Sequence, residues 1–443
     1  MTKTYSTLRR LIDIYDYLVD DQVGIVRHVE EIPRLAGAPD FHQFGAQASN
    51  TRVFNGIKNF ARTGGVSTDR DTAMAKAIGE AVERYCSAQF YVDELPLYAK
   101  ADAPFPCVSP GAFAFNSAEQ YEEPGFPWVP FTDDTPVRWT PAQDLTTGET
   151  CYVPAATVFV PYFYYQGTDD SPIVQPISTG LACHCSLEES AISGICEVIE
   201  RDAFMITWQA ALSRSHVRPE TLSDANYDIV RRFEQSDNTV TILNITMDVG
   251  VTAILSVLRG HWPGAAPIVF AAAAHLNPEM AVRKSLEELS HTARYAQSIR
   301  MMLPPLPPDP TFANIVDQKA HLNFWSEPAN LPLADFIFAS PDRIDFQDLE
   351  NLETGDPERD LRTLVDKVQA VGHRVLVADV TTDDVRSLGL AVTHSIIPGF
   401  HPLFMGYRGR PLGGYRLWEI PRKLGYKGIT RETGDNPAPH PYP

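Results

Sequence analysis

Two short stretches hold the residues best suited to chemistry. Gly79-Glu80-Ala81-Val82-Glu83-Arg84 echoes Cys196-Glu197-Val198-Ile199-Glu200-Arg201, and both read E-x-x-E-R. Each copy has two acids for one arginine, so the arginine cannot neutralise both. Clustered like charges need a cation, and hard carboxylate oxygens suit Mg2+. Magnesium held by carboxylates most often holds substrate phosphates too, which makes ATP the leading ligand. No G-x-x-x-x-G-K-[ST] occurs, so such a site would not be a P-loop. The plainer reading is a pair of i,i+4 ion pairs, Glu80–Arg84 and Glu197–Arg201, worth a few tenths of a kcal/mol each.

Helices must present these acids. Residues 66–86 follow the turn Gly64-Gly65 and read as helix, apolar nearly all round through Ala75, Ala77, Ile78, Ala81, Val82 and Cys86. Such a helix is usually buried, and its glutamates then need strong partners. Residues 186–212 read as a second long helix, entered at Ser186. There Ile192, Ile195 and Ile199 form a core-facing stripe, while Glu189, Ser193, Glu197 and Glu200 share another face. A third long helix spans 277–297, with Asn277 as N-cap, Pro278 at its first position and Glu279 in its first turn. An amphipathic helix is expected over 6–20, buried strands over 239–258 and 267–274, and a helix then a strand over 360–371 and 374–378. Residues 99–165 are rich in Pro and aromatics, with short β-like pieces such as 157–160. Residues 301–310 hold five prolines and form a rigid connector. Helices alternate with strands without a clean linker, so one large α/β domain of mixed character is expected.

The 443 residues carry 37 Lys+Arg against 56 Asp+Glu, a formal charge of −19, which argues against nucleic acid and anionic membrane as partners. With 44% hydrophobic and 10% aromatic residues the chain has material for a packed core. The start lacks the apolar stretch of a secretory signal, and no run approaches a membrane helix, so a cytoplasmic protein is expected. Six cysteines are too sparse for a disulfide framework. Cys183-His184-Cys185 looks like a ligand cluster, but a zinc site needs a second pair that the chain lacks, and a tight turn of small residues before a helix is the simpler reading. Segment 408–431 has seven basic residues against Glu419 alone, which reads as a solvated face or as a surface for a nucleotide, an acidic peptide or a partner.

Several blocks together resemble YcaO-domain proteins. Ser178-Thr179-Gly180-Leu181-Ala182, Leu187 to Ala191 and Glu197 to Ala203 resemble the family's signature, and Thr72 to Arg84 its other acidic helix. His275 to Glu279 with Arg283 to Glu288 looks like a third block. Ile397-Pro398-Gly399 and the ending Asn436 to Pro443 complete the order, so the resemblance covers roughly residues 60–443, with 1–59 as an N-terminal extension.

The resemblance implies a single YcaO-type domain with acidic helices packed on β-sheet. It implies ATP and Mg2+ bound between those helices, with Glu80, Glu83, Glu189, Glu197 and Glu200 holding metal. Ser178 and Arg201, with Glu83 and Glu200, would surround the nucleotide. Cys185 stands where several members have a nucleotide-binding Asn. The Pro439, Pro441 and Pro443 repeat resembles members that form azoline rings, in which the tail enters the active site and its terminal carboxylate takes part in catalysis; a frayed tail is the alternative. Alternating prolines fix φ and give a stiff end able to deliver a carboxylate. The implied activity is ATP-dependent cyclodehydration of Cys, Ser or Thr in a ribosomal precursor peptide. Thioamide or amidine formation and a non-catalytic metal-stabilised scaffold are the rival readings. The implied partners are the precursor peptide, an E1-like leader-binding protein and a flavin-dependent azoline dehydrogenase, in a homodimer or hetero-complex.

Overall fold

The glutamate-bearing helices are framed by three sheets in the structure, a computed structural model that describes residues 4–35, 38–164, 167–262 and 264–442. In chain order, β1 (Val26–Glu31), β2 (His42–Ala48) and β3 (Arg62–Ser67) lead into α1 (Arg70–Cys86). Then come β4 (Val137–Asp144), β5 (Thr150–Pro154), β6 (Leu181–His184) and α2 (Leu187–Gln209). β7 (Asn238–Asn244), β8 (Ala253–Gly260) and β9 (Ile268–Ala274) precede α3 (Pro278–Met302) and α4 (Gln318–Trp325). α5 (Pro357–Ala370), β10 (Leu376–Asp379), β11 (Ala391–Ile396) and α6 (Arg416–Lys423) follow.

β1, β2 and β3 form an antiparallel sheet in that order. α1 lies on it because Ala73, Ala77, Ile78, Ala81 and Val82 give it an apolar face with almost no exposed surface. Gly65 permits the close approach: a Cβ there would stand 2.2 Å from the Ala73 carbonyl oxygen. A second sheet runs Leu97–Tyr98, β4, β10, β11, β6, with β5 also paired to β4. The third runs β9-β8-β7, then the short strand His216–Val217 and, at the edge, Arg343–Ile344. α2 packs between β11 of the second sheet and β9 of the third, and α3 crosses the third. Ile192, Ile195 and Ile199 are buried in this seam, as their spacing predicts.

Several expectations are corrected. The helix over 66–86 starts at Arg70, because residues up to Ser67 pair with β2 and Asp69 caps the helix, accepting the Thr72 N–H at 2.8 Å. The helix over 6–20 is two short pieces, Arg9–Asp13 and Tyr15–Leu18, parted at Ile14. Segment 239–258 is two antiparallel strands. Residues 155–157 form a 3-10 turn rather than leading into a strand. Cys183 and His184 lie in β6, paired with β11, not in a tight turn. α3 extends to Met302, into the start of the Pro-rich connector. The basic segment 408–431 is not one face: Arg416 is fully buried, bonded to Asp202 (2.7 and 2.8 Å) and Asp248 (2.7 and 3.3 Å), while Arg408, Arg422 and Lys423 are exposed. No helix among the described residues is long and apolar enough to cross a membrane.

Candidate active site

α1, α2 and α3 bring an acidic cluster together. Glu80 accepts from the Gly64 N–H (3.1 Å) and from Arg84 (3.1 Å). Glu83 accepts from the Cys183 N–H at 2.8 Å, which ties α1 to β6. Glu197 accepts from the Gly180 N–H (3.0 Å) and from Arg201 (2.8 Å). Glu200 accepts from Arg201 and from the Tyr442 hydroxyl, the latter at 2.5 Å. From α3, Glu288 stands 3.5 Å from the His291 ring, while Glu287 accepts from Ser67 (2.7 Å) and Lys76 (2.5 Å). The side chains of Glu80, Glu197 and Glu288 remain 32%, 27% and 46% accessible, so solvent reaches the acidic cluster.

Local sequence explains the aim of these groups. Gly180 has φ +97°, and a Cβ on it would lie 2.1 Å from the Ser395 carbonyl oxygen. Only glycine fits, and the turn Ser178–Gly180 thereby offers its amide to Glu197. Beneath it, the buried His394 ring faces the Val158 carbonyl at 2.6 Å and the Thr179 carbonyl at 2.9 Å.

The cluster is short of positive charge. Burial, then the charge of Glu80, pushes the Glu83 carboxyl well above its ordinary range. Burial lifts Glu200 to about 7; Arg201 opposes the rise, while Glu197 and Glu288 add to it. Burial also holds the Lys284 ammonium below its ordinary range, with Glu200 and Glu287 pulling the other way. Burial would raise Glu288, but His291, Lys76 and Arg201 outweigh it and its carboxyl stays low.

The expected residues do not all meet. Glu80, Glu83, Glu197, Glu200 and Arg201 converge. Glu189 lies toward the N-terminal end of α2, where it accepts from the Ser6 N–H at 2.5 Å and stands 3.7 Å from the His184 ring. Cys185 is half-buried beside Ser6, its thiol pushed up chiefly by burial. Ser178 is half-buried and opens the turn, its carbonyl accepting the Leu181 N–H at 2.9 Å.

The tail is not frayed. Residues 438–442, including Pro439 and Pro441, are buried. Trp208 donates to the Ala438 carbonyl (2.9 Å) and Trp325 to the Pro439 carbonyl (3.0 Å). His440 donates to the Phe404 carbonyl (2.7 Å), and its ring stacks on His321 at 4.0 Å. Tyr442 then lies under Arg201, with the guanidinium 4.3 Å from the ring centre. Pro443 lies outside the described residues.

Three contributors escape the two-motif reading: Glu288, Lys284 and Tyr442. A spacing signal existed for the first two, since both lie on the third long helix four residues apart. Tyr442 carried none, standing as one aromatic among alternating prolines.

The donor set suits a hard cation and a polyphosphate. It offers carboxylate oxygens in excess over cations, two of which hold protons above their ordinary range, and Arg201 has a buried Nε without a partner. Among the described residues no three His, Cys, Asp or Glu groups are already gathered at metal-ligand spacing. The carboxylates are instead turned onto Arg84, Arg201 and the backbone amides, contacts that a bound cation would replace.

Residues 64–401 match the family described as YcaO cyclodehydratase, ATP- and Mg2+-binding. The chain belongs to the YcaO family. An uncharacterised protein of Methanothermobacter thermautotrophicus is 27% identical over 375 residues, 78% of this chain and 85% of that protein. Among solved structures, a heterocyclase in complex with substrate and cofactor superposes with a TM-score of 0.82 at 22% identity, covering all of this chain and 59% of that one. The YcaO protein from Methanopyrus kandleri bound with AMPPCP and Mg2+ gives 0.65 at 19% identity, covering 89% of this chain and 91% of that one. At these identities the likeness establishes the fold, mixed α/β with the YcaO architecture. This chain spans little more than half the length of the heterocyclase.

Proposed function

We propose that this YcaO protein is an ATP-dependent cyclodehydratase that converts Cys, Ser or Thr of a ribosomal precursor peptide to thiazoline or oxazoline. The observation that carries this reading is the buried tail whose Tyr442 hydroxyl reaches Glu200 beside Arg201. Arg201, which bonds Glu197 and Glu200, also packs on Tyr442, so the tail segment and the acidic cluster share one arginine. In this reading residues 60–443 form the catalytic domain.

The peptide side chain attacks the preceding amide carbonyl carbon and loses its proton. The resulting oxyanion accepts the γ-phosphoryl group, and loss of phosphate with the amide N–H proton leaves the C=N bond of the azoline. ATP supplies the group that turns amide oxygen into a leaving group, and Mg2+ neutralises its phosphates. Glu80, Glu83, Glu197 and Glu200 hold the metal in this reading, with Glu288 as a further ligand and Glu189 at the outer end. Arg201 offers positive charge to the transferring phosphoryl group, and the Ser178–Gly180 turn offers its edge to the nucleotide. Tyr442 fixes the Pro-rich segment 438–442 against Glu200. Leader recognition rests with a separate E1-like protein, and oxidation to azoles with a flavin-dependent dehydrogenase.

The test is incubation of the full chain with ATP, Mg2+, that partner and a Cys/Ser/Thr-rich precursor. Loss of one water per ring, with ADP and phosphate released, supports the reading. A mass gain from replacing oxygen by sulfur redirects it to thioamide formation. An unchanged peptide with no phosphate released leaves a scaffold subunit.

A further inference from the structure

Arg201 faces two different environments. Besides the glutamates, it lines a partly open cavity of about 130 Å3 to which none of those glutamates contributes. Phe113, Phe115 and Trp128, from the Pro- and aromatic-rich segment, form one part of its wall. Phe400 and Leu403, just beyond Ile397-Pro398-Gly399, form another. The cavity is therefore where two sequence features without a role in phosphate chemistry meet the acidic cluster.

Several polar side chains on its wall are engaged with the protein, while Arg201 Nε and His401 Nδ1 have no partner. Asn116 donates to the Gly409 and Arg410 carbonyls at 3.4 and 3.3 Å. Both His394 nitrogens face carbonyls, Thr157 donates to the Pro154 carbonyl at 2.7 Å, and Gln175 Oε1 accepts the Met405 N–H at 3.3 Å. Away from Arg201 at its border and the unpartnered His401 Nδ1, such a wall offers little to the hydrogen-bonding edge of a nucleobase, and only Arg201 carries charge for a phosphate. It suits a hydrocarbon group: apolar cavities of about 150 Å3 stay dry and take up benzene.

We propose that this cavity is a peptide subsite that seats an apolar side chain, of phenylalanine or leucine size, flanking the residue to be cyclised. The proposal rests on the peptide-modifying reading above and adds its sequence preference. A side chain held there brings its own backbone amide to Arg201, at the border between the cavity and the glutamates. Phe113, Phe115 and Val174 are then specificity-determining residues that touch the side chain and not the nucleotide.

The test is calorimetric titration of the full chain with N-acetyl-phenylalanine amide and N-acetyl-glycine amide, which requires no turnover. The phenylalanine amide is expected to bind at least tenfold more tightly. Val174→Trp fills the cavity and is expected to abolish that difference, with the circular dichroism spectrum unchanged. Phe115→Ala enlarges the cavity and is expected to shift preference toward N-acetyl-tryptophan amide; it carries the test alone if Val174→Trp does not fold. Equal binding of the two amides by the wild-type chain overturns the proposal, as does a preference that Val174→Trp or Phe115→Ala leaves unaltered. Adenosine binding that Val174→Trp removes would make the cavity a nucleobase pocket instead, and also overturns it. Discrimination that follows the cavity in a chain that never releases phosphate supports the subsite and counts against the reaction alone.

Discussion

Replacing Glu200 by glutamine should stabilise the metal-free protein at neutral pH while abolishing its turnover. Glu200 is 9% exposed and its carboxyl is raised from 4.5 to about 7, chiefly by burial, against the pull of Arg201 and with Glu197 and Glu288 adding to the rise. Between those values the native state keeps a proton that the unfolded chain releases. Stability from this group is therefore complete below pH 4.5 and is lost as pH rises through 7. At about 1.4 kcal/mol per pKa unit the loss approaches ~3 kcal/mol. Glutamine mimics the protonated carboxyl and still accepts from Tyr442 and Arg201, so the variant lacks this loss. Urea unfolding in the presence of chelator, from pH 4.5 to 8, should show Glu200→Gln gaining on the wild type by about 1–3 kcal/mol across that range. Added Mg2+ and ATP should reverse the order by stabilising only the wild type. A stability difference that does not change with pH would refute the charge-deficient cluster.

The tail supplies a prediction of opposite sign. Burial holds His321 at about 4 and His440 well below its ordinary range, so their contribution is present above pH 6.5 and is lost as pH falls toward 4. The stability that the wild type loses between pH 7.5 and 5 in urea unfolding should shrink in His440→Asn; an equal loss would contradict neutral buried rings. Tyr442→Phe removes a buried hydrogen bond to Glu200, worth about 0.5–1.5 kcal/mol, and should lower peptide turnover by about 10-fold with ATP binding largely kept. Unchanged turnover would make that contact incidental. Arg416→Met leaves Asp202 and Asp248 without their cation and should cost about 3–5 kcal/mol in urea unfolding, and a cost below about 1 kcal/mol would refute it. Gly180→Ala forces a Cβ to 2.1 Å from the Ser395 carbonyl oxygen and should weaken nucleotide binding more than tenfold in a titration; wild-type affinity would show the turn to be pliable.

The glutamate stripe was legible because an α-helix converts spacing into direction. Ile192, Ile195 and Ile199 went into the core, and Glu197 and Glu200 turned to the acidic cluster as a result. The same reasoning could not separate Glu189 from them, since its partner Ser6 comes from a segment more than 180 positions away. Helix starts were legible where a side chain caps them, as at Ser186 and Asn277. The strand Arg62–Ser67 was hidden because its two glycines read as a turn, whereas here Gly65 lets α1 lie against the sheet and Gly64 admits the His291 ring of α3. The stiffness of the Pro-rich end was visible, but its destination came only from the family resemblance, not from the residues. That destination depends on indole donors from α2 and α4 and on the Phe404 carbonyl after β11, which accepts from the tail's own His440, and only the tertiary fold assembles them.

The central claim is that the γ-phosphoryl group passes to the oxygen of a peptide amide at the acidic cluster. A precursor peptide carrying heavy oxygen in the amide carbonyl before a single cysteine tests it directly. With the full chain, its partner, ATP and Mg2+, the account predicts a peptide lighter by one labelled water and inorganic phosphate that carries the heavy oxygen. Ring formation with unlabelled phosphate, or with the label in AMP, would contradict it.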